Sequence, residues 1–280
     1  MSSNTSAPLN LSMSTVYPGH TPTFGIVTSF TLNNPFLESR TANLGLLYGF
    51  KGISMYSFMH GYYFLPIFMP PPHEEHNWNR VRLTLQLFQH KKQREVSCLY
   101  NWVVWMESDQ FITNYDITLA SIVEQAVVQS GKVPDIIVNR DVVGNINTGI
   151  MFIRCSEMGR KAMVRIRELQ ITHAHNRLVD QWDSNGCIML LHKEIEFREV
   201  MVFLPPKVFN SYVYFDAEKK VAACPAHECA KGYWSPGDFL VHFAGRKQDI
   251  EPFLQAFPAS SWLGYQTHYA VPLERMCGLP

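Results

Sequence analysis

The chain has 280 residues, 46% apolar and 17% charged, an ordinary globular composition with enough apolar material for a large core. Lysine and arginine number 24 and are matched by 24 acidic residues, so no net field draws the chain to nucleic acid or an anionic membrane surface. Nowhere do about 18 apolar residues run uninterrupted, which argues against a membrane span and predicts a soluble, cytoplasmic protein.

Residues 1–22 are rich in Ser, Thr, Asn and Pro, without a basic start or an apolar run. They read as a flexible polar tail rather than a signal peptide, leaving 23–280 as one folded domain. "FGIVTSF" (24–30) predicts a first strand. A helix is expected from about Pro35 to Phe50, then a strand at "GISMYSF" (52–58), and the prolines of "LPIFMPPPHEEHN" (65–77) predict a loop. The leucines of 78–94 favour a helix. "SCLYNWVVWM" (97–106) reads as a buried strand. "NYDITLASIVEQAVVQS" (114–130) reads as an amphipathic helix capped by Asn114 and stopped by Gly131. Strands at "PDIIVN" (134–139) and "GIMFIRC" (149–155) lead to a helix at 156–170 capped by Ser156. A helix at 184–194 and strands at "EVMVFL" (199–204) and "DFLVHFA" (238–244) complete the pattern. Strands alternating with helices predict an α/β fold with a mainly parallel sheet, whose ligands bind beyond the carboxyl ends of the strands.

Six cysteines, at 98, 155, 187, 224, 229 and 277, are scattered through a chain with ample core, and reduced thiols are expected. "CPAHEC" (224–229) lacks the second pair that a zinc site needs. "HEEH" (73–76) sits in the proline loop and lacks the i, i+4 histidines of a metalloprotease.

The chemistry concentrates at two strand ends. "NWVVWMESDQF" (101–111) finishes a buried run with Glu107 and Asp109, which point to one side of an extended segment. Two carboxylates so placed repel unless a cation lies between them, and a hard ion such as Mn²⁺ or Mg²⁺ suits oxygen ligands. "GDFLVHFAGRK" (237–247) ends in His242, an imidazole ligand candidate, followed by Gly245, Arg246 and Lys247. A glycine lets backbone approach a phosphate, and the cations beyond it can neutralise a diphosphate. Together the two ends read as a metal–diphosphate clamp. Asp183 in "QWDSNG" is the candidate base for an inverting transfer; in a retaining one it would position the donor. Trp182, Tyr212 and Tyr233 are candidates for stacking on an acceptor sugar.

These segments carry a resemblance. "NWVVWMESDQFITN" is similar to a Trp-(Ile/Val)-Trp-x-Asp-x-Asp-x-x-Phe pattern, and "YWSPGDFLVHFAG" to Gly-Asp-Phe-hydrophobic-x-His-x-x-Gly. "NLGLLY", "WNRVRLTLQLF", "INTGIMFIRCSEMGRKAM", "WDSNGCIMLL" and "PPKVFNSY" match weaker blocks in order. The chain resembles the nucleotide-sugar glycosyltransferases with the GT-A fold. Its nearest group there is the galactosyl/xylosyl/mannosyltransferase family of plant xyloglucan xylosyltransferases and yeast Golgi enzymes. The resemblance implies an α/β, GT-A (Rossmann-like) fold, Mn²⁺ or Mg²⁺, a UDP-sugar donor, and an oligosaccharide or glycoprotein acceptor. It implies that Asp109 and His242 hold the ion, with Glu107 on the ion or the donor ribose. Thr28, Ser29, Tyr48, Arg80, Ser108, Gly245 and Lys247 would serve the nucleotide, and Asn147 and Gly149 the donor sugar.

Two departures stand out: Glu107 replaces the first aspartate, and the membrane anchor of the cellular relatives has no counterpart. An anchorless chain with a polar tail looks more like the glycosyltransferases that large algal DNA viruses encode for capsid glycans. On that likeness xylose is the expected sugar and fucose of a capsid-protein N-glycan the expected acceptor. A nucleotide-sugar hydrolase and a non-catalytic glycan-binding module remain the alternatives.

Overall fold

The computed structural model describes residues 17, 20–31, 40–69, 76–90, 96–172, 177–218 and 220–257. Most of the expected tail lies outside them, but Tyr17 is held to the core: its hydroxyl accepts a bond from Trp102 Nε1 at 2.9 Å. Six strands form the main sheet: β1 (Phe24–Thr31), β2 (Tyr63–Met69), β5 (Trp102–Met106), β7 (Ile136–Arg140), β8 (Ile146–Arg154) and β9 (Met201–Leu204), in the order β2-β1-β5-β8-β7-β9. All pairings are parallel except those of β8, which runs against both β5 and β7.

Side-chain alternation along β5 builds the core on both faces of the sheet. Trp102, Val104 and Met106 join one apolar cluster with Phe24, Ile26, Ile53 and Ile122. Val103 and Trp105 join the other, with Val81, Met163, Ile166 and Ile188. Helices α1 (Arg40–Met59) and α3 (Leu119–Ser130) supply the first cluster; α2 (His76–Leu87), α4 (Glu157–Thr172) and α5 (Arg177–Leu191) supply the second. A strand with no polar face is what a sheet covered on both sides requires.

Several expected elements are corrected. "GISMYSF" is not a strand: α1 runs through it, with Ile53 and Tyr56 buried one turn apart and Ser57 Oγ donating to the Ile53 carbonyl at 2.7 Å. The strand lies later, in β2, where a proline loop was expected. Pro66 is tolerated there because β2 is an edge strand and needs hydrogen bonds on one side only. Helix α2 ends at Leu87, and a short hairpin of β3 (Phe88–His90) and β4 (Val96–Cys98) separates it from β5. Thr118, not Asn114, caps α3, accepting from Ser121 N at 3.0 Å, while Asn114 donates instead to the Gly237 carbonyl. Helix α5 begins seven residues before the expected start, so Asp183 lies inside it rather than at a cap. The cysteines also depart from the reduced state expected: Cys224 and Cys229 form a disulfide around a one-turn helix, Ala226–Cys229, with Cα atoms 5.5 Å apart, and Cys155 is disulfide-bonded too.

The last expected strand of the main sheet belongs elsewhere. β6 (Gln110–Ile112), α6 (Pro206–Phe209), β10 (Ser211–Tyr212) and β11 (Leu240–His242) introduce a second, three-stranded sheet ordered β10-β11-β6. It packs on its own apolar cluster of Phe111, Val213, Trp234, Val241 and Phe243, with Ile250 and Phe253 from α7 (Ile250–Ala256). The chain passes from large sheet to small within residues 107–109. Among the described residues no helix is long and apolar enough to cross a membrane.

Candidate active site

Glu107, Ser108 and Asp109 form the tight turn between β5 and β6, closed by Gln110 N on the Glu107 carbonyl at 3.3 Å. The acids converge because the chain turns there, not because it stays extended. Backbone bonds fix the turn on both sides: Glu107 N donates to the Gly149 carbonyl at 2.9 Å, and Phe243 N to the Asp109 carbonyl at 3.0 Å. The second bond, with the pairing of His242 and Gln110 across β11 and β6, carries the histidine to the acids. His242 Nε2 lies 3.3 Å from Glu107 Oε2 and 3.6 Å from Asp109 Oδ1.

The three residues fit a divalent ion. One ligand atom from each lies within 4.8 Å of the other two. Cis ligands at bond lengths near 2.1 Å are about 3.0 Å apart, so the two gaps from His242 Nε2, 3.3 and 3.6 Å, need close by only about half an ångström. His242 is 1% exposed and Asp109 5%, and neither imidazole nitrogen makes a well-directed hydrogen bond, which leaves a buried donor atom aimed between two carboxylates. Burial alone would drive the imidazole towards its neutral form. Asp109 and Glu107 more than offset that and push its pKa up to about 9. The same two anions could hold a divalent cation in place of that proton.

Arg80, expected at the nucleotide, lies beside the acidic turn. It is fully buried, its guanidinium lies 5.5 Å from the centre of the Trp105 ring, and it bonds Glu107 Oε1 at 2.9 Å. That pair locks one oxygen of Glu107 and leaves the other turned to His242. With the imidazole protonated, the two carboxylates, the guanidinium and the ring sum to zero; a divalent ion in place of that proton would bring the cluster to +1 and favour an anionic ligand.

The other expected residues divide by position. Thr28 is buried on β1, its hydroxyl without a hydrogen-bond partner among the described residues. Tyr48 is 52% exposed on α1, next to Gly49, whose position against the Ser108 carbonyl leaves no room for a side chain. Gly49, missed from the sequence, is why α1 can support the acidic turn. Ser108 is half-buried in that turn. Gly149 lies against the ring of His242, and Asn147 donates nothing to it but accepts from Gly149 N at 2.9 Å. Tyr212, expected on an acceptor, is buried and stacks on His242 with ring centres 5.6 Å apart. Tyr233 is half-buried, edge-on to Tyr214 at 5.3 Å. Gly245 adopts φ 67°, an exposed left-handed turn beyond β11. Arg246 turns away onto Phe215, 3.6 Å from the ring centre, and pairs with Asp249. The side chains of Ser29, Trp182, Asp183 and Lys247 lie outside the described residues. The backbone around Asp183 is tied to β8, where Asn185 Oδ1 accepts from Thr148 N at 2.7 Å and from Thr148 Oγ1 at 2.6 Å.

Comparison with known proteins agrees with this architecture. A glycosyltransferase involved in the glycosylation of the major capsid of PBCV-1 superposes with a TM-score of 0.51 at 14% identity, over 82% of this chain and 99% of that one. The chain has the GT-A fold. The galactosyltransferase LgtC, solved with donor and acceptor sugar analogues, aligns over 90% of this chain and 99% of its own at 11% identity and a TM-score of 0.49. A sequence model of the galactosyl transferase GMA12/MNN10 family matches residues 119–250, a little under half of the chain. No curated protein matches the sequence. The matched span takes in Asn147, Gly149, Asn210, Tyr212 and His242 but stops short of Glu107 and Asp109, which meet it only in three dimensions. In this GT-A fold the acidic turn follows the central strand β5 at its carboxyl end, where α/β sheets place their ligands.

Proposed function

We propose that the chain is a divalent-metal-dependent glycosyltransferase that moves a sugar from a UDP-sugar to a glycan acceptor. The convergence of Glu107, Asp109 and His242 at the carboxyl end of β5 carries this reading. The galactosyl transferase family match over 119–250 supports sugar transfer as the chemistry. Bound there, an ion such as Mn²⁺ would act as a Lewis acid on the departing diphosphate. Asp109 and His242 would hold it, and Glu107 would contribute its second oxygen while Arg80 fixes the first. Thr28, Ser29, Tyr48 and Ser108 would surround the nucleotide, and the exposed Gly245 turn with Lys247 would meet the phosphates. Asn147 would face the donor sugar. Asp183 would serve as base in an inverting transfer or hold the donor in a retaining one, and Trp182 and Tyr233 would line the acceptor side. The finer reading is xylose from UDP-xylose, passed to fucose on a capsid-protein N-glycan, by a soluble domain spanning 23–280.

Thermal melting with Mn²⁺ against a panel of nucleotide sugars tests the donor class. A ligand at 100 times its dissociation constant stabilises the fold by about 2.7 kcal/mol, so UDP-sugars are expected to raise the melting temperature above GDP- and CMP-sugars. Nucleotide release that depends on added acceptor separates transfer from hydrolysis. A flat panel would remove the donor assignment, and release indifferent to acceptor would favour a hydrolase.

A further inference from the structure

Side chains from β6, β7, β8 and β10 meet at one buried amide, that of Asn210. Its Nδ2 lies 2.8 Å from Asn139 Oδ1, 3.1 Å from Asn147 Oδ1 and 3.2 Å from the Tyr212 hydroxyl, and its Oδ1 accepts from Gln110 Nε2 at 3.3 Å. All five residues are buried.

The direction of the amides follows from the backbone. Gly149 N–H can only donate, so the Asn147 atom it meets at 2.9 Å is the oxygen. Asn139 is fixed in the same way: its NH₂ donates to the Arg140 carbonyl at 2.9 Å, so its oxygen is the atom turned to Asn210. Two oxygens therefore face Asn210, and only an NH₂ group satisfies both.

The contacts of Asn210 lead to the imidazole from three sides. Within the small sheet His242 pairs with Tyr212 on one side and Gln110 on the other, and Asn210 bonds both. The Tyr212 ring stacks on the imidazole. The third contact, Asn147, bonds the backbone of Gly149, which lies against the ring.

We propose that Asn210 is the positioning residue of this site, its amide joining the segments that box His242 and turning the Asn147 NH₂ towards the ligand. The inference rests on the metal-dependent transferase reading above. Asn147 is 8% exposed, and with its oxygen taken by Gly149 and Asn210, its NH₂ is the part left to meet a sugar hydroxyl or phosphate oxygen. Asn210 touches neither ion nor substrate and acts through the residues that do.

The test is Mn²⁺ binding and donor KM in Asn210→Leu, which keeps the branched outline and deletes the donor and acceptor, and in Asn210→Asp, which sets oxygen against oxygen. Residues that orient metal ligands typically contribute about 10- to 100-fold in affinity. Each variant that keeps the wild-type far-UV circular dichroism is expected to bind Mn²⁺ at least tenfold more weakly and to show a raised donor KM. A folded variant with both constants within twofold of wild type overturns the proposal, as does a lowered melting temperature with unchanged Mn²⁺ affinity, which reduces Asn210 to packing. Wild-type protein that binds no Mn²⁺ overturns the metal reading and this inference with it, whereas normal binding by the variants overturns this inference alone.

Discussion

Asp109→Ala is expected to lower sugar transfer by about 100- to 1,000-fold, roughly 3–4 kcal/mol of transition-state stabilisation, while leaving the circular dichroism of the fold unchanged. The fold should survive because Asp109 contributes to it through its backbone: its carbonyl accepts from Phe243 N, and that bond needs no side chain. Its carboxylate helps to hold the proton on His242, so in the metal-free chain its removal lowers the pKa of the ring and moves the buried imidazole towards its neutral form, which burial favours. The loss should thus fall on ion binding and turnover. Turnover assayed across Mn²⁺ concentrations, beside the Mn²⁺-dependent shift in melting temperature, reads both. Near-normal, metal-stimulated transfer by this variant would refute the assignment.

Gly149→Ala, a change of one methyl group, should disable the same site by a different route. A Cβ at this position would stand 2.2 Å from His242 Cε1 and 3.0 Å from both His242 Nδ1 and Asn147 Oδ1. Side-chain contacts that short do not persist, so the ring must move, and a fully buried imidazole stacked on Tyr212 has little space for retreat. Gly149 lies within β8 with no left-handed backbone to strain, so the effect is steric contact alone. The expectation is at least a tenfold loss of Mn²⁺ affinity, with transfer falling in parallel and partly recovering at high Mn²⁺. Unchanged Mn²⁺ titration by the alanine variant would show that His242 does not need its observed position.

How much of this was legible in the sequence depended on the range of the contacts involved. The two-sided burial of β5 could be read from "WVVWM", because alternation within five residues is local. The boundaries around α1 and β2 could not. Gly52 reads as the start of a strand, yet α1 continues through it to Met59, and at Gly49 within that helix the Ser108 carbonyl passes too close for any side chain. Pro66 read as a loop marker, and only the sheet order reveals that it sits on an edge. The acids and the histidine were recognisable as chemistry, whereas the small sheet that brings them together was not: β11 was taken for a strand of the main sheet. Arg80 enters through the resemblance as a nucleotide contact, and its pairing with Glu107, 27 residues away, is not legible in the sequence. Asn210 stands in the sequence only as a fixed position of the weaker "PPKVFNSY" block, and its role is not legible there, since its contacts to Gln110 and Asn139 are 100 and 71 residues distant in sequence.

Diffraction from Mn²⁺-soaked crystals at the manganese absorption edge examines the shared grip of the two sheets on a cation without reference to any sugar. A single anomalous peak in bonding contact with the Asp109 carboxylate and His242 Nε2 is the predicted result. A strong peak elsewhere, with Asp109 and His242 unchanged and empty of density between them, would contradict it.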